Sequence, residues 1–233
     1  MRGDLLAALN EERGRRRAFV LVTDMADGTQ RLVRAAEIAD DPLADVLAEH
    51  VRLGKSGLVE AEGRSIFLSV QVPPLRLIAI GAVHISQALA PMAKLAGFDV
   101  TVIDPRSAFA SPERFPDVEL IAEWPQDALP RIMPDAYTGM ALLTHDPRID
   151  DPALHVALAA ECFYIGALGS RKTHAKRLER LRGAGFQESQ LARIHAPIGL
   201  DIGAVSPAEI AVSILGEIVM SLRKKPLRSE KAA

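Results

Sequence analysis

The chain has 233 residues, of which 48% are hydrophobic, enough for one large or two small domains with a packed core. Only 4% are aromatic and the formal net charge is −2, so the composition provides neither the stacking side chains nor the basic field that nucleic-acid binding needs. A single cysteine excludes an internal disulfide framework and fits a reducing compartment.

Charged residues interrupt the N-terminal segment early, at Glu11, Glu12 and Arg13, so no signal-peptide core is predicted there. No apolar run reaches the length needed to span a bilayer. We therefore expect a cytoplasmic protein without a membrane span.

Residues 1–73 predict a small α+β domain, near the lower size limit for independent stability. Its predicted elements are, in order, a helix at 4–12, strands at 18–23 and 30–35, a helix from 42 that ends by Gly54, and a hairpin of strands at 57–61 and 65–72 that turns at Glu62-Gly63. Pro73 and Pro74 restrict the backbone to extended conformations and mark the predicted domain boundary.

Residues 74–223 predict a second domain in which strands alternate with helices. This alternation is typical of an α/β, Rossmann-like fold with a mostly parallel sheet and helices on both faces. The predicted strands are 75–81, 98–104, 118–122, 138–143 and 162–166, and the predicted helices are 84–96, 126–132, 151–160 and 171–183.

A last helix begins at a capping box, Ser206-Pro207-Ala208-Glu209. It carries an apolar stripe from Ile210 to Leu222 that packs either on the sheet or in a dimer, and we expect a homodimer. The charged tail at 224–233 is predicted to be disordered.

The segment from Leu75 to Ser86 has the strand–turn–helix pattern that opens a nucleotide-binding βαβ unit. Asp104 follows Gly81 by roughly 20 residues, where dinucleotide-binding folds place the acid that holds a ribose. However, Val83 and Ser86 stand where the G-x-G-x-x-G pattern requires glycine. The pattern therefore predicts the fold strongly and NAD(P) binding only weakly.

Polar residues and glycines follow the predicted strands at their carboxyl ends. They are Gly81 and His84, then Asp104 and Arg106, then Thr144, His145 and Asp146, and finally Gly166, Gly169, Ser170, Arg171 and Lys172. Because the carboxyl ends of parallel strands lie on one edge of a sheet, we expect these residues to share one cleft.

Ser170 is the predicted N-cap of a helix whose first turn carries Arg171 and Lys172. Cations at a helix N-terminus oppose the helix dipole, and a bound anion would offset that cost. The alternative is that both side chains point into water and the glycines form only a turn.

Other candidates have two interpretations each. His84, where dipole and burial favour a neutral ring, is a ligand-binding residue or a packed histidine. His145 and Asp146 form an acid–base pair, or Asp146 merely caps the turn. Asp201 faces a ligand, or it fixes its own loop by accepting backbone N–H groups. Cys162 starts a strand in apolar surroundings and is interpreted as a core residue. Neither H-x-x-x-H nor C-x-x-C occurs, so no structural metal is predicted.

These residues resemble the XdhC/CoxI family of xanthine dehydrogenase accessory proteins. The segments that carry the resemblance are 81–85, 102–106, 112–116, 143–146, 164–172, 197–204 and 207–211. Two departures limit it: Val83 replaces a glycine of the family, and residues 1–73 lack the family's SGGC-containing segment. A role of that cysteine cannot be transferred to Cys162.

The resemblance implies a Rossmann-like domain in a chaperone for the molybdenum cofactor (molybdopterin). Such a protein protects the cofactor, presents it for sulfuration by a sulfur donor, a cysteine desulfurase, and delivers it to a xanthine dehydrogenase-type molybdoenzyme. The terminal phosphate of molybdopterin suits the helix start at Ser170-Arg171-Lys172. The expected cofactor-binding residues are Gly81, His84, Asp104, Arg106, His145, Asp146, Gly169, Ser170, Arg171, Lys172 and Asp201.

Three hypotheses follow. The first is a cofactor-delivery protein that is not itself a catalyst. The second is an NAD(P)-dependent oxidoreductase that uses the Rossmann-like domain and Asp104. The third is sulfur transfer through Cys162.

Overall fold

The structure is a computed structural model that describes residues 3–61 and 63–224. Its internal contacts divide the chain into two units, residues 3–73 and 74–224. Glu62 of the predicted turn and residues 225–233 of the predicted tail lie outside the described residues. Within the described ranges, every helix is too short or too polar to cross a membrane.

The N-terminal unit is built on a four-stranded antiparallel sheet with strand order β2-β1-β4-β3. Its elements are α1 (Gly3–Gly14), β1 (Phe19–Asp24), β2 (Gln30–Arg34), a 3-10 helix (Ala35–Asp40), α2 (Ala44–Leu53), β3 (Gly57–Ala61) and β4 (Arg64–Gln71). The 3-10 helix was not predicted. The helix predicted from Pro42 begins at Ala44, because the Asp41 carboxylate accepts the Leu43 N–H and holds a turn there.

The C-terminal unit is built on a six-stranded parallel sheet with strand order β10-β9-β8-β5-β6-β7. Its elements are β5 (Arg76–Ile80), α3 (His84–Leu95), β6 (Asp99–Ile103), β7 (Glu119–Ile121), α4 (Pro125–Ile132), β8 (Thr138–Leu142), α5 (Pro147–Ala159), β9 (Tyr164–Ala167), α6 (Arg171–Gly183), α7 (Glu188–Leu191), β10 (Ile194–His195) and α8 (Pro207–Lys224). The predicted α/β, Rossmann-like fold is confirmed. The short α7 and β10 were not predicted.

Helices cover both faces of this sheet because successive strand residues point to opposite sides. Leu77 and Ala79 of β5 pack with α3 and α8 in one core. Ile78 and Ile80 pack with α4, α5 and α6 in the other. The predicted stripe of α8 is therefore largely used inside this unit.

In the C-terminal unit, α5 and β9 are the elements whose starts differ most from the prediction. Helix α5 starts at Pro147, four residues earlier than predicted, because Asp146 caps it by accepting the Arg148 N–H and proline fits the first helical position. Strand β9 starts at Tyr164, so Cys162 precedes the strand.

The strand order reverses between β5 and β8, and the chain leaves these neighbouring strands at Gly81 and Leu143. We call the loops that follow β5, β6, β8 and β9 the carboxyl edge; they comprise residues 81–83, 104–106, 143–146 and 168–170. Parallel α/β sheets bind ligands at this switch point. The fold therefore directs the search for a site to this edge.

Gly81 brings the loops after β5 and β8 into close approach. Its φ is +112°, and a β-carbon there would lie 2.7 Å from Thr144 Cγ2. Gly97 also has a positive φ, +89°, but a β-carbon there would meet nothing within 4 Å. Comparing an alanine substitution at Gly81 with one at Gly97 therefore separates the cost of steric overlap from the cost of backbone strain.

We predict that Gly97→Ala lowers the free energy of unfolding by about 1–2 kcal/mol, the cost of a left-handed alanine. Gly81→Ala adds the clash and should cost at least about 3 kcal/mol. Thr144→Ser, which removes Cγ2 and keeps the hydroxyl, should restore part of that loss in the double variant. Urea unfolding measures all four proteins, and equal losses for both glycines would contradict the close approach.

Candidate functional site

The Asp104 carboxylate ties the loop after β5 to the loop after β6. The side chain is fully buried and accepts the Ala82 N–H at Oδ2, 2.8 Å away. Arg106 donates to the same carboxylate from its backbone N–H, from Nε and from Nη2, at 2.7–2.9 Å. Burial alone would raise the pKa of Asp104, but these hydrogen bonds together outweigh it and lower the pKa. Both oxygens thus have hydrogen-bond partners within the chain.

Ser86 satisfies a second N–H of the glycine loop. Its buried hydroxyl accepts the Val83 N–H at 2.9 Å and lies 2.6 Å from the Gly81 carbonyl oxygen. In dinucleotide-binding folds, the N–H groups of this loop and helix start bind the pyrophosphate. Here those of Ala82 and Val83 already have partners within the chain, in Asp104 and Ser86. We call residues 81–83 with these internal partners the self-closed glycine loop.

Arg114 holds the segment after β6 against this loop. Its Nη1 donates to the carbonyl oxygens of Ala82 and Phe109, at 3.0 and 2.8 Å, and Nη2 donates to Gln87 Oε1 at 2.8 Å. Arg106 stacks on Phe109, with its guanidinium carbon 4.5 Å from the ring centroid. The sequence motif that contains Arg114 was noticed, but its anchoring role was missed.

The turn after β8 contains His145 and Asp146. His145 has a φ of +61°, and partial burial, with a contribution from the Arg177 charge, lowers the pKa of its ring. Asp146 caps α5 and is bound by Arg148 through the backbone N–H, Nε and Nη2. These hydrogen bonds lower the pKa of Asp146 to about 2. Asp146 therefore acts as the helix cap, the second of its two predicted interpretations.

Sequence inspection missed a buried charged pair beneath that turn. Asp150 and Arg177 are 1% and 2% exposed, and Asp150 Oδ2 lies 4.0 Å from Arg177 Nη2. The Thr144 hydroxyl donates to Asp150 Oδ1 at 2.6 Å, and Arg177 Nη2 donates to the Leu168 carbonyl oxygen at 2.8 Å. Among the described residues, Asp150 Oδ2 and Arg177 Nε and Nη1 have no hydrogen-bond partner.

Burial is the dominant influence on both members of this pair. It raises the pKa of Asp150 to about 6, against the opposing effects of the Thr144 hydrogen bond and the Arg177 charge. It also lowers the pKa of Arg177. The sequence signal was a carboxylate among the apolar residues of α5, Ile149, Ala153 and Leu154, which all face the core.

A cavity of about 230 Å³ lies between the β8–α5 turn, helix α5 and helix α6. We call it the α5–α6 cavity. Its lining residues are His145, Pro147, Asp150, Asp151, Lys172, Thr173, Lys176, Arg177 and Arg180. Four of these are lysine or arginine and two are aspartate, so cationic side chains outnumber carboxylates on the cavity wall.

The start of α6 borders the same cavity. Ser170 is the N-cap, as predicted, and its Oγ accepts the Thr173 N–H at 3.2 Å. Gly169 has a φ of +137°, and a β-carbon there would lie 3.1 Å from Thr173 and 3.7 Å from His145 Nδ1. The loops after β8 and β9 are therefore adjacent, as the parallel sheet predicts.

The predicted residues do not all converge. Contacts link Gly81 to Thr144, Asp104 to Ala82 and Arg106, and Gly169 to His145, while Lys172 lines the cavity. His84, Arg171 and Asp201 are exposed and are not among the cavity-lining residues. The burial expected for His84 is wrong, because it is the first residue of α3 and its side chain faces solvent.

A cluster of three side chains, which sequence inspection missed, anchors the loop that carries Asp201; Tyr164 and Glu217 are buried and His195 is half-buried. Glu217 of α8 accepts the Tyr164 hydroxyl at 2.6 Å and the Gly199 N–H at 2.8 Å, and its Oε1 lies 3.0 Å from His195 Nδ1. Burial alone would raise the pKa of Glu217, but these hydrogen bonds outweigh it and lower the pKa. Glu217, rather than Asp201, is thus the acid that fixes this loop.

The cysteine lies away from the carboxyl edge, before the amino end of β9. Cys162 is 3% exposed, and burial raises the pKa of its thiol to about 12, which fits the predicted core role. In residues 3–61 and 63–224, histidine, cysteine and carboxylate side chains form no cluster of three or more that could hold a metal ion.

The strand order defines a Rossmann-like domain. The self-closed glycine loop sets this domain apart from the dinucleotide-binding type. A family model described as the XdhC Rossmann domain matches residues 77–218, which is more than half of the chain. The chain therefore belongs to the XdhC family, and the resemblance found in its motifs is confirmed.

Curated relatives extend this comparison. The chain is 34% identical over 188 residues to the uncharacterized protein YqeB of Escherichia coli (strain K12), covering 76% of this chain and 34% of that protein. It is 32% identical over 161 residues to a probable xanthine dehydrogenase subunit of Bacillus subtilis (strain 168), covering 69% and 47%. It is 32% identical over 146 residues to the molybdenum cofactor insertion chaperone PaoD of Escherichia coli (strain K12), covering 63% and 40%. The chain thus spans between a third and a half of these relatives.

A solved structure described as a xanthine dehydrogenase from Bacillus halodurans has the same fold. It superimposes with a TM-score of 0.67 over 99% of this chain and 69% of that chain, at 23% sequence identity. At this identity the likeness concerns the fold alone.

The buried pair predicts an unusual dependence of stability on pH. Because the pKa of Asp150 is raised to about 6 from its ordinary value of 3.8, the folded state binds more protons than the unfolded state between these values. Wild-type stability should therefore lose up to about 3 kcal/mol through this group as pH rises from about 4 to 7, at about 1.4 kcal/mol per pKa unit. Asp150→Asn should lack this loss, so guanidinium unfolding should show the variant gaining stability relative to wild type with rising pH.

Glu217→Gln is the matched comparison of opposite sign. Because the pKa of Glu217 is lowered, its carboxylate contributes stability above its unfolded pKa and loses it as pH falls. This variant should therefore become less stable relative to wild type as pH rises. A pH-independent difference for Asp150→Asn would contradict the buried charge at that position.

Proposed function

We propose that the chain is an accessory protein that binds the molybdenum cofactor and delivers it to a xanthine dehydrogenase-type molybdoenzyme. The observation that carries the proposal is the XdhC family match over residues 77–218, which contains the whole carboxyl edge. The name of the relative PaoD, a molybdenum cofactor insertion chaperone, supports the proposal that the ligand is the molybdenum cofactor. The name of the Bacillus subtilis relative, which refers to xanthine dehydrogenase, supports the proposal that the client is an enzyme of that type.

The described side chains are suited to holding the cofactor and less suited to catalysis on it. Lys172, Lys176 and the Ser170-capped start of α6 offer cations and N–H groups to its phosphate. Gly81, Asp104 and Arg106 belong to the internally bonded part of the carboxyl edge. A direct contact between Asp104 and the cofactor would require Arg106 to move, because Arg106 donates to both carboxylate oxygens. His84, Arg171 and Asp201 are exposed residues that reach the cofactor only if it extends beyond the α5–α6 cavity.

In this proposal a second protein sulfurates the bound cofactor. A cysteine desulfurase is the expected sulfur donor, and a cytoplasmic homodimer is the expected assembly. Cys162 is not the sulfur carrier, because its thiol is buried and its pKa is raised to about 12. The chain therefore protects and presents the cofactor, and the chemistry belongs to the donor.

An NAD(P)-dependent oxidoreductase is the alternative, and the strand order favours it, since it is the order of dinucleotide-binding Rossmann folds. The self-closed glycine loop opposes it. The Asp104 carboxylate is hydrogen-bonded by Arg106, so it is not free to bind a ribose. The Ala82 and Val83 N–H groups already donate to Asp104 and Ser86, so they are not free to bind a pyrophosphate.

The test is co-expression with the enzymes of cofactor synthesis, followed by purification and oxidation. We expect pterin fluorescence to co-purify in near-stoichiometric amount, and the loaded chain to activate a xanthine dehydrogenase-type apoenzyme. The same preparation from cells unable to make the cofactor is the control. Absence of pterin from the co-expressed protein, or micromolar binding of NAD(H) or NADP(H), would overturn the proposal.

A further inference from the structure

The α5–α6 cavity is large enough for one small group of the cofactor but not for the whole cofactor. Its volume of about 230 Å³ is below the roughly 300–1,000 Å³ of pockets that enclose whole drug-sized ligands. A tricyclic pterin would not be enclosed there. A phosphoryl group is small enough to enter.

The charges that line the cavity leave two of its cations without a counter-charge on the described cavity wall. Arg180 is committed to Asp151 by two hydrogen bonds of 2.5 and 2.9 Å. Asp150 and Arg177 face each other at 4.0 Å. Lys172 and Lys176 remain, and both are exposed on the cavity wall.

The positions of these lysines are unfavourable for the helix alone. Lys172 lies in the first turn of α6, where no acidic residue is present and a cation opposes the helix dipole. Lys176 follows four residues later, so the two like charges are neighbours on one face and repel each other. A bound anion would offset both costs.

Arg177 provides an independent indication of a ligand. Its side chain is 2% exposed and lines the cavity, yet Nε and Nη1 have no hydrogen-bond partner in the described part of the chain. Buried guanidinium donors without acceptors are costly, and oxyanions are the acceptors that match their geometry. Of the two carboxylates that line the cavity, Asp151 is bound to Arg180. Asp150 accepts the Thr144 hydroxyl at Oδ1, and its Oδ2 lies 4.0 Å from Arg177 Nη2, beyond hydrogen-bond distance.

We propose that the α5–α6 cavity is a phosphoryl subsite, with Lys172, Lys176 and Arg177 as its cationic walls and Thr173 at its helix end. This subsite rests on the proposed function, and it would hold the phosphate end of the molybdenum cofactor. The pterin then extends over the carboxyl edge towards Gly81 and Thr144. The N-terminus of α3, where a dinucleotide would place its pyrophosphate, is not used.

The test uses inorganic phosphate and pyrophosphate with the full chain. Binding is measured by calorimetry and by the ring nitrogen resonances of His145, which lines the cavity. We expect wild type to bind pyrophosphate, with the His145 resonances shifting as it binds. Lys172→Gln/Lys176→Gln should weaken binding at least tenfold, and both side chains are exposed, so the fold should survive. Arg177→Lys, which keeps the charge and loses the forked donors, should weaken binding as well.

Arg182→Gln is the matched control, because Arg182 lies on the same helix, in its last turn, outside the cavity. It should bind pyrophosphate like wild type. Unchanged affinity in the double lysine variant, or an equal loss in Arg182→Gln, would overturn the subsite. Pterin co-purification is scored separately: wild type with pterin but no pyrophosphate binding would reject the subsite alone. Specific pyrophosphate binding without pterin would reject only the cofactor function.

Discussion

The buried carboxylate of Asp104 sets the geometry on which the carboxyl edge depends. It accepts the Ala82 N–H from the loop after β5 and three N–H groups of Arg106 from the loop after β6. One side chain thereby joins the carboxyl ends of the neighbouring strands β5 and β6 of the Rossmann sheet. The loop it holds brings Gly81 so close to Thr144 that a β-carbon there would lie 2.7 Å from Thr144 Cγ2. The loop after β5 therefore also lies directly against the loop after β8.

The same interaction changes which ligand the fold suits. A Rossmann domain that binds dinucleotides keeps the N–H groups of its glycine loop free for pyrophosphate. Here Asp104 and Ser86 occupy two of them, and Val83 fills a glycine position. The unmatched cations instead lie at the start of α6, two strands away across the switch point. The chain thus keeps the Rossmann strand order without the glycines of the dinucleotide-binding pattern.

Features that depend on neighbouring residues were predictable from the sequence. The strand–helix alternation, the Ser170 cap and the Ser206–Glu209 capping box are local, and the structure contains all three. The missed contacts join distant segments: Arg177 meets Asp150 across two helices, and Glu217 meets Tyr164 over 53 positions. Their partners are set by tertiary packing, which no local pattern encodes. The proximity of the loops after β5, β6, β8 and β9 was therefore predictable, but the α5–α6 cavity and its lining residues were not.

The most direct measurement is the position of phosphorus in crystals of the chain loaded with molybdenum cofactor. We expect phosphorus in the α5–α6 cavity, within contact of Lys172 and Lys176, with the Asp104–Ala82 hydrogen bond intact. Phosphorus at the N-terminus of α3, bound by the N–H groups of the Gly81–Val83 loop, would contradict the proposed subsite and the self-closed loop together.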